Sequence, residues 1–66
     1  MKTKKDILDN KGWTIPSGTE IKIIKTIINP SNNVKNHIVT IDNGTGLEDT
    51  FPKTIITEGA LNRGLN

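Results

Sequence analysis

Few residues in this chain are equipped for chemistry. His37 is its one imidazole, and the sequence has no cysteine. No second histidine or thiolate is present to complete a zinc site around it. The serine hydroxyls, Ser17 and Ser31, fall among turn-forming residues, and a hydroxyl nucleophile needs a base within hydrogen-bond reach. Only His37 is available for that role. Asp42, Glu48 and Asp49 gather three carboxylates around one turn. Their spacing is not that of a calcium loop, which places acidic ligands at alternate positions and a glutamate further on. As neighbours on a strand, Glu48 and Asp49 would also point to opposite faces and so could not act together as acid and base. Gly44-Thr45-Gly46 lacks the Lys-Ser/Thr and the helix that a phosphate-cradling loop requires. The expectation is a chain with no catalytic residues, no metal and no cofactor, and therefore not an enzyme.

Binding is the remaining chemistry. Trp13 is one of only two aromatic residues, the other being Phe51. A tryptophan set between Gly12 and Pro16 either caps one end of a core, the favoured reading, or stands exposed as an anchor for a partner. Lys22 and Lys25 share one isoleucine-rich segment, and Lys35 lies across the next turn, so the three form a candidate basic strip beside Trp13. These four residues are the expected partner-binding set, with a protein as the expected partner. The alternative partner is a nucleic acid, held by the same three lysines together with Lys2, Lys4, Lys5 and Lys11. Nine Lys and Arg against seven Asp and Glu leave a net charge of only +2. Lys2, Lys4, Lys5 and Lys11 against Asp6 and Asp9 account for all of that excess.

The elements that position these residues are read from composition and pattern. The 66 residues make one small domain, burying only about 60% of the surface exposed when unfolded. Eleven Ile, nine Thr and two Val make a third of the chain β-branched, while there is one Ala and four Leu. Strands are favoured over helices. The abundance of Ile, Lys and Asn also fits AT-rich codons, as in a bacterium of low G+C content or its phages.

Thr19–Ile28 is the strongest strand, and its alternation breaks at Ile23-Ile24. Either both faces are covered or, the favoured reading, a β-bulge near Ile24 switches the inward set. Asn29–Asn33 is a loop, and Val34–Ile41 returns with Val39 and Ile41 inward. Asn43-Gly44 suits a type I′ turn, leading to a strand at Leu47–Phe51 that Pro52 ends. A last strand is expected at Ile55–Thr57 and a short extended piece at Trp13–Ile15. Residues 1–10 are expected to be a basic tail or a short helical turn, and the stretch 58–66, which holds two glycines, to fray, with 61–66 a tail outside the barrel and Leu61 the one residue there able to pack. Five short strands joined by turns, with no helical crossover, must curl to cover their apolar face. The fold expected is all-β, a small five-stranded antiparallel barrel over 11–60.

The segments IPSGTEIKII, HIVTIDNGTG and FPKTIIT, within residues 13–57, resemble the SH3-like barrel superfold in element order. What that resemblance implies is the fold alone. The aromatic groove of proline-motif SH3 domains is not matched, since there is no tyrosine. The basic start offers only Ile7-Leu8 as an apolar pair, far from a secretory signal, and no segment has the length of a membrane span. A soluble cytoplasmic binding module is the expectation, with no membrane and no small-molecule substrate.

Overall fold

A computed structural model describes all 66 residues. In chain order the elements are β1 (Ile7–Leu8), β2 (Thr14–Ile15), β3 (Ile21–Ile28), β4 (Lys35–Ile41), a 3-10 turn at Glu48–Thr50, β5 (Lys53–Thr57) and α1 (Glu58–Leu65). The strands form two antiparallel sheets, β1-β2 and β3-β4-β5.

The β-branched stretches make the long β3–β4 hairpin. Ile21 faces Ile41 and Ile23 faces Val39, after which the register slips so that Lys25 faces Ile38. Ile24 is therefore the extra residue of a β-bulge, where two adjacent isoleucines break the alternation. Beyond it, Thr26 faces His37 and Ile28 faces Lys35. On the other side of β4, Ile56 pairs with His37, Ile55 with Ile38 and Thr54 with Val39.

The inner face of this sheet supplies Ile21, Val39 and Ile56 to the core, joined by Ile7, Ile15 and Leu61. Each such aliphatic side chain contributes about 1.5–3 kcal/mol on burial. The sealing element is α1. Thr57 caps its N-terminus by accepting from Ala60 N, and Glu58 stands in the first turn, where a carboxylate suits the helix dipole. Leu61 then enters the core, and Gly64 packs directly on Ile7, whose side chain fills the space a Cβ at position 64 would need.

The expected five-stranded SH3-like barrel is thus corrected. Two small sheets and one helix share a core, and no barrel closes. Leu47–Phe51 is not a strand, because its polar groups bond among themselves. Thr50 Oγ1 donates to Leu47 O at 2.7 Å, and Asn43 Nδ2 donates to Thr50 O at 3.1 Å. Asn43 does not take a positive φ, whereas Gly44 and Gly46 do, so no type I′ hairpin forms. Side-chain bonds of this kind compete with a strand ladder.

Both chain ends are also placed differently from expectation. Ile7-Leu8 pairs with Ile15-Thr14 as a strand rather than a tail or helical turn. Residues 58–65 form a helix where a frayed tail is expected, and Lys4 N and Lys5 N both donate to Gly64 O, at 2.8 and 3.1 Å. The one backbone hydrogen bond between the β1–β2 turn and β5 is Asn10 N donating to Ile55 O at 3.0 Å. That single bond does not continue the ladder, so the helix covers the core that a closed sheet would otherwise enclose.

Candidate binding face

The β1–β2 turn is organised by one carboxylate. Asp9 is buried, and its Oδ1 accepts from Lys11 N at 2.9 Å and from Trp13 N at 2.8 Å. Its Oδ2 accepts from Thr54 Oγ1 at 2.6 Å. The Thr54 hydrogen bond is the chief cause that holds the Asp9 carboxyl below the usual aspartate range. Burial works against it, and the Trp13 and Lys11 amides add to it. With Gly12 at φ +86° closing the turn, the backbone around Trp13 is fixed.

The Trp13 side chain points outward and is 68% exposed. The favoured expectation that it caps the core is therefore corrected. The core is filled by aliphatic side chains, Ile7, Ile15 and Leu61 among them, and the amide of Trp13 is tied to Asp9 while its ring is left outside. Lys11 Nζ lies 6.0 Å from the ring centroid, at the outer reach of a cation–π contact.

Strand alternation sorts the sheet residues into two faces. On the outer face, away from α1, three rows run across β5, β4 and β3. They are Lys53, Thr40, Lys22; then Ile55, Ile38, Lys25; then Thr57, Asn36, Ile27. Lys11 reaches this face from the β1–β2 turn, lining a shallow cleft with Ile38, Lys53, Thr54 and Ile55. Nothing in the chain covers the face beyond the 3-10 turn at its Lys22 end. There Glu48 lies 3.8 Å from Lys22, with both side chains largely exposed, a contact worth at most about 1 kcal/mol.

The structure therefore brings Lys22 and Lys25 together on one face, with Lys11 and Trp13 at its rim. It places Lys35 elsewhere, since Lys35 pairs with Ile28 and alternates onto the opposite face. Lys4 and Lys5 lie against the end of α1, on the covered side, and Lys2 bridges to Glu20 at the start of β3. Lys53 was not singled out by sequence reasoning. Its parity with Ile55 was the available signal, but only the β4–β5 register shows that this row meets Lys22.

His37 lies on the inner face, between Thr26 Oγ1, 2.9 Å from Nδ1, and the Glu58 carboxylate, 4.0 Å from Nε2. It is buried and links β3, β4 and α1. A second cleft, lined by Glu20, Asp42, Glu48 and Phe51 among others, holds carboxylates. Glu20 is engaged by the Met1 amine at 2.9 Å, and no three potential metal ligands converge anywhere. No helix of the chain is long and apolar enough to cross a membrane. Compared with known protein families, curated proteins and solved structures, the chain matches none of them.

Proposed function

We propose that this chain is a non-enzymatic binding module that engages an acidic protein surface through the outer face of its three-stranded sheet, with Trp13 as the anchor at the rim. The observation that carries this reading is the row pattern. Ile55, Ile38 and Ile27 run through an uncovered face on which Lys11, Lys22, Lys25 and Lys53 are the charged groups. Aliphatic side chains bordered by cations complement a partner with apolar groups bordered by carboxylates, and an exposed tryptophan is the residue type most enriched among binding hot spots. A single-stranded nucleic acid is a poorer fit for the same face. Base stacking asks for aromatic platforms along the strand path, and this face has isoleucines there and one tryptophan at its edge.

Charge reversal tests the reading. Proteins captured by the wild-type chain are compared with those captured by Lys25→Glu/Lys53→Glu, by Trp13→Ala and by Lys35→Glu, which alters the opposite face. The expected result is an acidic protein retained by the wild type and by Lys35→Glu but lost from the other two. Equal retention by all four chains overturns it. If labelled single-stranded DNA or RNA binds at about 50 mM salt and its affinity falls steeply as salt rises, phosphate contacts are dominant and the nucleic-acid reading replaces this one.

A further inference from the structure

β3 is an edge strand whose outer side is occupied only at its start. There Met1 N donates to Ile21 O and Ile21 N donates to Met1 O. Ile21 and Ile23 therefore direct their backbone polar groups away from β4. The bulge at Ile24 shifts that phase by one residue, and beyond it Asn29 N donates to Val34 O, so Ile27 and Asn29 face β4 while Thr26 and Ile28 face outward. The N–H and C=O groups of Thr26 and Ile28 have no backbone partner in the chain.

The other sheet edge is treated differently. β5 is met by Asn10 at Ile55, whereas the end of β3 carries no charge after Lys25. Ile24, Ile27 and Ile28 and the nearby Val34 are all exposed there, between 40% and 56%. An open, uncharged and apolar edge is the arrangement that natural proteins ordinarily block.

We propose that this edge pairs with β3 of a second copy of the chain, antiparallel about a two-fold axis at Ile27. Four registers compete, and side-chain and backbone chemistry select among them. Centring on Ile28 would set Thr26 opposite Pro30, which has no N–H to donate. Centring on Lys25 would set two ammonium groups opposite each other, which is destabilising. Centring on Thr26 would lay Ile28 against the bulged Ile24, where the backbone is displaced from the ladder. Centring on Ile27 places Thr26 opposite Ile28 of the partner, so that the four outward N–H groups meet the four outward C=O groups. It also brings the two Ile27 side chains together in the closer, non-hydrogen-bonded position and sets Lys25 opposite Asn29. Pro30, which has no N–H, ends the ladder. The product is a six-stranded sheet whose outer face carries the lysine rows of both copies. The pairing stands on its own geometry and holds whether or not the outer face binds a protein.

Sedimentation equilibrium from micromolar to millimolar protein reads the association, and amide exchange locates it. The expected result is an apparent mass rising with concentration from 7.2 kDa toward twice that value, with the Thr26 and Ile28 amides gaining protection in parallel. Ile27→Lys, which opposes two cations at the axis, and Ile28→Pro, which removes one outward donor while leaving the β3–β4 bonds intact, should each hold the chain at the monomer mass. Unchanged Val39 and Ile56 methyl shifts verify that both variants are folded. A wild-type chain that stays monomeric at millimolar concentration overturns the proposal. So does a dimer that persists in both variants, or one whose added protection falls on β5 in place of β3.

Discussion

Thr54 Oγ1 donates to Asp9 Oδ2 at 2.6 Å across 45 residues of sequence, in a buried setting. This bond ties the turn that presents Trp13 and Lys11 to β5 and the outer-face rows. A hydrogen bond to a charged acceptor contributes roughly 1.5–3 kcal/mol. Thr54→Val keeps the shape and removes the donor, so it should lower stability by about that amount in urea unfolding. Thr57→Val changes only an exposed helix cap and should cost about 1 kcal/mol.

The same carboxylate sets an acid limb. The Asp9 pKa is lower in the folded chain than in the unfolded one. Its stabilising contribution is therefore complete above the ordinary aspartate value and is lost as pH falls through the folded value. Acid unfolding followed by circular dichroism should show the wild-type midpoint above that of Asp9→Asn at matched starting stability, because only the wild type loses this contribution as pH falls. In Thr54→Val, compared at the same matched starting stability, the midpoint should move down toward that of Asp9→Asn, because the largest cause of the depression is gone and less stability is lost with falling pH.

Two helix glycines predict opposite outcomes. Gly64 has the Ile7 side chain where a Cβ would stand, while at Gly59 the nearest group is the end of the Arg63 side chain at 3.9 Å. Gly64→Ala should destabilise by about 1–3 kcal/mol through overpacking. Gly59→Ala should stabilise by up to about 1 kcal/mol through helix propensity. Thermal melts of the two variants check both signs.

Trp13 makes its own fluorescence prediction. With the ring exposed in the folded chain, emission should shift little on unfolding. Trp13→Ala should change stability by no more than about 0.5 kcal/mol. Burial of the ring against a protein partner should shift the emission to shorter wavelength.

The legible part of this fold is its local part. The β3–β4 hairpin follows from dense β-branched residues around Asn29–Asn33, and the bulge follows from Ile23-Ile24. What was not legible depends on distant partners. Residues 58–65 hold two glycines and read as a frayed end until Gly64 is seen against Ile7, a contact between opposite ends of the chain. Ile7-Leu8 is too short to signal a strand without Thr14-Ile15 opposite it. Glu48–Thr50 reads as strand by its position between a glycine turn and a proline, but the hydroxyls of Thr45 and Thr50 satisfy the loop locally. For the binding face, Lys22 and Lys25 were visible as a pair. The slip at Ile24 sets which face they share, and only pairing with β4 and β5 shows that Lys53 belongs with them and Lys35 does not.

Because Gly64 and Leu61 close over Ile7, the interior assembles only once those late residues exist. During synthesis the earlier strands emerge with nothing to shut them in, and their isoleucines stay wet until residues 58–65 have left the ribosome.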